Sequence, residues 1–178
     1  VVDNHRISVT MRASVIKAKK YADQGCDGKA ICKKLEKDAY NETIYVSVNT
    51  LEFLRKGGRI TPAAAAIGTV LKIKPVLSIQ GEKLDSYATV RGTMKKCEQK
   101  MISACKNDLM NRFPGIRPDQ LHVGGVGARL NQEEIAQWVK MLEMNFPGVD
   151  LFFNPLSASI STHTGPGAVG IGISIDMD

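Results

Sequence analysis

Apolar residues along this chain recur at two spacings, three-to-four and two, and the change from one to the other marks out its elements. Val15, Ile16, Ala18 and Ala22 fall on one side of a helix predicted over Met11–Tyr21, and Gly25 ends it. Asp27 then caps a second helix, Gly28–Ala39, with Ile31 and Leu35 facing inward. The polar break DAYNET follows, and a boundary is expected there, with residues 1–42 as the tail of one unit and 43–178 as another. The opening VVDNHRIS reads as the end of a strand, so the chain is expected to be the C-terminal part of something longer.

Beyond the break, Ile44–Val48 is a short β-branched strand. Asn49, with Glu52 three residues on, predicts a capping box for a helix ending at Lys56, where Gly57 and Gly58 supply positive φ. Thr61–Pro62 opens a small-sided helix, AAAAIGTVL. Ile73–Ile79 and Lys83–Val90 form a hairpin through Gln80–Gly81–Glu82, with Pro75 suggesting a strand start or a sheet edge. Met94, Cys97, Met101, Cys105 and Leu109 give the long helix Gly92–Arg112 its core face. Gln120–Val123 is a strand, Asn131 and Glu134 box the start of a helix through Met144, and Val149–Phe153 is a strand. Alternation predicts a strand at Ser157–Thr162, a sharp turn at THTGPG and a closing strand, Ala168–Ile175. The fold class is therefore α/β with α+β character: a two-layer sandwich of a mixed sheet and packed helices.

Composition narrows the function classes. The 178 residues are 43% hydrophobic and 24% charged, enough for one good core. No apolar run approaches the roughly 20 residues that span a bilayer, so no stable membrane insertion is expected. The net charge of +6 comes from scattered clusters, and the 6% of aromatic residues do not interleave with them. Nucleic acid is therefore not an expected partner. Cys26, Cys32, Cys97 and Cys105 match no CxxC or zinc spacing, which favours reduced thiols, a cytoplasmic location and no metal or cofactor.

Three places carry candidate chemistry. In LEFLRKGGRI, Arg55 and Lys56 are explained as cations closing a helix, but Arg59 lies past the helix end and before the next start. A glycine pair there brings a guanidinium to a carboxylate or phosphate, or merely ends a helix. In THTGPG, His163 sits in a rigid turn with Thr164, Gly165 and Gly167, where backbone amides and an imidazole are available to an oxyanion; a satisfied turn histidine is the alternative. Arg91, between a strand and a helix, faces a ligand or a partner. GGVGAR, residues 124–129, lacks the full pattern of a phosphate loop and is expected to be a glycine-rich turn. His5 and His122 have no evident partners.

TLEFLRKGGRITPAAAAIGTVLKIKPVLSIQGEKL, then TVRG, then THTGPGAVGIG, closely resemble the C-terminal part of the DegV family of bacterial fatty-acid-binding proteins. VVDNHRIS and the helix after it resemble the end of that family's N-terminal domain. The resemblance implies a non-enzymatic lipid-binding protein that holds one long-chain fatty acid, such as palmitate or oleate, between two domains. It also implies presentation of the carboxylate to a separate ATP-binding subunit of a fatty acid kinase. By motif, His163 matches the carboxylate-site histidine, Arg59 the head-group arginine, and Arg91 an arginine facing the kinase. Ile60, Ile67 and Leu71 are candidate acyl contacts, equally explained as core. The family's N-terminal hydroxyl-bearing motifs are absent, so half of the carboxylate site is expected here. A different outcome, a dihydroxyacetone-kinase-like substrate subunit using His163 as nucleophile, would require a small closed cavity.

Overall fold

The computed structural model describes residues 1–66, 73–79 and 84–177. Among them run helices α1 (Ser8–Asp23), α2 (Gly28–Lys37), α3 (Glu52–Lys56), α4 (Pro62–Ala65), α5 (Met94–Arg112), α6 (Gln132–Asn145) and α7 (Ala158–Thr164). The strands are β1 (Glu42–Ser47), β2 (Ile73–Ile79), β3 (Leu84–Arg91), β4 (Leu121–Gly127), β5 (Asp150–Pro155) and β6 (Val169–Ile175). They form one mixed sheet in the order β3-β2-β1-β6-β4-β5. Among the strands of the described residues the β4–β5 pairing is parallel and the other pairings are antiparallel. The α/β class with a mixed sheet is as expected.

Alternation along the strands gives the sheet two different faces. Tyr45, Val123, Ile171 and Ile173 point under α5 and α6, where they meet Cys97, Met101, Cys105, Trp138 and Leu142. Cys97, Met101 and Cys105 of α5 are thus core packing, with both thiols buried. Trp138 Nε1–H donates to the Gly170 carbonyl (3.3 Å), so this buried indole keeps its polar partner. On the opposite face, Val46 and Leu77 pack with Leu51, Leu54, Ile60 and Ala64. Here β4 and β6 carry the registered pair Gly124–Gly172. A β-carbon built on Gly172 would fall 2.4 Å from Val9 Cγ2, and one on Gly124 2.6 Å from Val9 Cβ. The glycines are what let α1 lie down on the sheet.

Several sequence expectations are corrected. Residues 1–7 form no strand, and α1 begins at Ser8. Its buried side carries Val9, Thr10, Ser14, Lys17 and Tyr21, whereas Val15 and Ile16 are exposed. Polar groups face inward because they meet polar partners: Ser14 Oγ accepts from Asn4 Nδ2 (2.9 Å) and Lys17 pairs with Asp38 (2.5 Å). GGVG is not a turn but the end of β4. Ser157–Thr162 is not a strand: Ser157 Oγ accepts from the Ile160 amide and starts α7. Asn49 does not cap α3, whose N-cap position is Leu51. Only Gly58 of the glycine pair has positive φ (63°); Gly57 is helical (φ −81°). β2 is not an edge strand, yet Pro75 fits because the β1–β2 pairing stops at Val76. As expected, Asp27, Thr61 and Asn131 cap their helices through their side chains. The Gln80–Gly81–Glu82 turn and the AAAAIGTVL helix beyond Ala66, including Ile67 and Leu71, lie outside the described residues.

Candidate functional site

The glycine-lined face of the sheet holds a cavity of about 570 Å³. Its floor is Ile44, Val46, Ile79, Leu84, Val126 and Gly172. Leu54 and Arg59 wall one side with Leu156, Ser159, Ile160, His163 and Thr164 around α7, and His5–Val9 wall the other. Most of these contacts are aliphatic, which suits an apolar ligand with one polar end.

The two motifs singled out in the sequence are brought together here by close approach. The His163 ring is seated on Gly57: a β-carbon at position 57 would lie 2.1 Å from its Nδ1. Phe53 in turn is seated on Gly165, where a β-carbon would lie 2.5 Å from Cδ2. LRKGGR and THTGPG are therefore two halves of one surface. Beyond Gly58, the Arg59 amide donates to the Leu54 carbonyl (3.1 Å) and its carbonyl accepts from the Leu84 amide (3.2 Å). The backbone is held while the side chain stays exposed at the cavity. Lys56 is paired with Glu52 (2.7 Å), and the Arg55 guanidinium donates to the Ala65 carbonyl. Arg59 makes no ion pair among the described residues, unlike Arg6, the other arginine on the cavity.

Arg6 is committed elsewhere. Its guanidinium donates to the Asp38 carbonyl (2.6 Å) and faces Glu42 (3.4 Å), both residues being buried. Burial pushes the Glu42 carboxyl up to about 7, against opposing pulls from Thr10 and Arg6. His122, unpartnered in the sequence, bridges Asp150 (3.1 Å) and Asp176 (3.3 Å). Among the described residues no cluster of His, Cys, Asp or Glu is arranged to hold a metal ion. None of their helices is long and apolar enough to cross a membrane.

Of the residues expected at the site, Arg59, His163 and Thr164 line the cavity. Thr164 Oγ1 donates to the Ile160 carbonyl (3.2 Å), so toward the cavity it offers lone pairs. Gly165 and Gly167 do not line it, and their amides are taken by the Ser161 (2.8 Å) and Ala128 (2.7 Å) carbonyls. Ile60 is in the adjoining core, bridged to Leu84. Arg91 ends β3 seven residues from Leu84, roughly 20 Å along the strand, and does not line the cavity. The sequence reading missed His5, Arg6, Ser159 and Ile160. The spacing Leu156–Ile160–Thr164, two steps of four, was the available signal for α7.

Comparison with known proteins gives this geometry relatives. A model of the DegV family, described as uncharacterised, matches residues 1–176. A protein of Thermotoga maritima named as a fatty acid-binding protein is 30% identical over 160 residues, covering 89% of this chain and 53% of its own length. The crystal structure of a fatty acid binding DegV family protein from Streptococcus agalactiae superposes with a TM-score of 0.82 at 28% identity, over 99% of this chain and 59% of that one. A DegV family protein from Thermus thermophilus, described by its fatty acid binding, gives 0.81 at 28% identity, with 99% and 60% covered. The chain thus spans between half and three fifths of the length of these relatives. With the sheet order, the GGRI and THTGPG blocks in contact and a family match over nearly every residue, the chain belongs to the DegV family.

Proposed function

We propose that this chain supplies one side of a binding site for a long-chain fatty acid such as palmitate or oleate. One observation carries the reading: an apolar cavity of about 570 Å³ is lined by His163 and by a single arginine without an ion pair among the described residues, Arg59. The acyl chain lies along the aliphatic floor, and the carboxylate meets the Arg59 guanidinium and the His163 ring. Burying some 16 carbons contributes on the order of 10 kcal/mol before ordering costs, at ~0.8 kcal/mol per methylene. Few polar contacts are then needed for tight binding. The names of the Thermotoga, Streptococcus and Thermus relatives support the same assignment.

The finer parts of the reading concern the whole protein. Met11, Val15 and Ile16 leave an apolar stripe exposed on α1. We assign residues 1–42 to the tail of an N-terminal domain that covers this stripe and completes the carboxylate site with hydroxyl side chains. A cytoplasmic ATP-dependent kinase subunit then receives the carboxylate, with Arg91 on the face toward it. Covalent capture of a small keto sugar by His163 would need a small closed cavity, and an aliphatic-lined one of about 570 Å³ argues against it.

The test is organic extraction of the purified product of the whole coding sequence, followed by mass spectrometry of the lipid phase. A co-purifying fatty acid, or saturable binding of added palmitate or oleate, is expected. A pocket that arrives empty and refuses both would overturn the reading.

A further inference from the structure

The turn that follows His163 is pinned from two sides, and only one of them faces the cavity. On the cavity side it rests on α3, through Gly57 against His163 and Phe53 against Gly165. On the other side it meets Asn49, in the link between β1 and α3. Asn49 Nδ2 donates to the Pro166 carbonyl (3.2 Å), and its Oδ1 accepts from Lys74 Nζ (2.7 Å). A β-carbon at Gly167 would lie 2.2 Å from that Nδ2, so the amide occupies the space the glycine leaves. Pro166 has no N–H, and Asn49 supplies the donor for its carbonyl. Lys74 belongs to β2 and is in register with Val90, so the amide is held from the sheet.

From this arrangement we infer that Asn49, held by Lys74, is a positioning residue for the carboxylate end of the site. The inference rests on the fatty-acid reading for its ligand, but not for its geometry. A hydrogen-bonding head-group site discriminates only if its donors stay within about half an ångström of their working positions. His163 and Thr164 immediately precede the turn, so a shift of Pro166 is passed directly to them. Asn49 does not line the cavity of the candidate site, but with Gly167 lines a separate one of about 290 Å³, and acts through the turn.

Asn49→Asp tests the effect, with affinities measured in about 0.5 M salt so that the charge it adds is screened. It keeps the size of the side chain and the acceptor for Lys74, but cannot donate to the Pro166 carbonyl. Two readouts are needed. The first is the NMR signal of the His163 ring Hε1 in the delipidated product of the whole coding sequence. The second is the affinity ratio of palmitate to hexadecanol for the product of the whole coding sequence. We expect the His163 signal to move and the ratio to fall roughly tenfold, the size of one hydrogen bond's contribution, with hexadecanol affinity and Tm unchanged. Lys74→Met should act in the same direction, and it decides the matter if Asn49→Asp lowers Tm. An unmoved His163 signal with an unchanged ratio overturns the inference, as does equal loss for palmitate and hexadecanol. If the unsubstituted protein binds neither lipid, the fatty-acid reading falls, while the His163 signal still tests Asn49.

Discussion

Gly57 and Gly58 are adjacent, yet the structure assigns them opposite consequences on substitution. At Gly57 the backbone is helical (φ −81°, ψ −5°), so alanine is conformationally favourable by about 0.5–1 kcal/mol. Its β-carbon, however, would stand 2.1 Å from His163 Nδ1 and 2.8 Å from Cε1. Non-bonded atoms settle near 3.5 Å, so the ring must retreat by about 1.4 Å. That exceeds the half-ångström within which a binding group must be held. Gly57→Ala should therefore leave stability equal or higher and weaken fatty-acid affinity by at least about tenfold. Gly58 has φ +63° and nothing within 4 Å of a built β-carbon. Gly58→Ala should cost about 1–2 kcal/mol of stability and leave the His163 ring where it is. Chemical denaturation of both variants, with lipid titration by intrinsic or dye-displacement fluorescence, separates the two. If Gly57→Ala binds like the unsubstituted protein, or if affinity falls in both variants only as stability falls, the argument from His163 seating is wrong.

Arg59→Ala removes an exposed side chain with no ion pair among the described residues, so stability should change by less than about 0.5 kcal/mol while palmitate affinity drops; equal affinity in a titration would return Arg59 to the surface. Arg91→Ala should leave acyl binding intact, given its separation of roughly 20 Å from Leu84, and lower only the rate of a kinase-coupled assay. His122 supplies a pH signature. Hydrogen bonding to Asp176 raises its pKa above 6.5 despite burial, and Asp176 is lowered from 3.8 to about 2, chiefly by His122. The bridge therefore stabilises fully between about pH 4 and 6.5, and fades as pH rises through the raised histidine value or falls toward 2. The stability gap between His122→Gln and the unsubstituted protein, measured by denaturation at pH 5.5 and pH 9, should shrink at the higher pH. Glu42 acts on the same limb: its carboxyl, raised from 4.5 to about 7 by burial, makes stability fall as pH climbs between those values. Glu42→Gln should flatten that slope.

The order of elements was legible in the sequence wherever a cap or a long period marked it. Asp27, Thr61 and Asn131 start their helices as expected, and the α5 face from Cys97 to Cys105 is buried as its spacing predicts. What failed were short segments whose surroundings override local pattern. SASIS alternates like a strand, but one hydroxyl cap and packing of the segment against α3 make it helical. GGVG reads as a turn because glycine favours turns, yet here the missing side chains admit Leu142 and Trp138 on one face and Val9 on the other. The α1 face was misassigned because hydropathy does not register that Lys17 and Ser14 have buried polar partners. At the site, the motif residues Arg59 and His163 were found from sequence, but their contact was not. Gly57 and His163 are 106 positions apart, and no spacing rule links them.

The registered pair Gly124–Gly172 has an effect on the groove from underneath. Val9 rests on both glycines, and its neighbours Ile7 and Ser8 form part of the cavity wall. Alanine at 124, which does not line the cavity, would place a carbon 2.6 Å from Val9 Cβ, so the first turn of α1 would rise by about 1 Å. The wall would move with it, and the groove would widen although no residue touching the ligand had changed. Substitutions in the sheet itself would thus alter the width of the groove, and a comparison confined to pocket-lining side chains would overlook them.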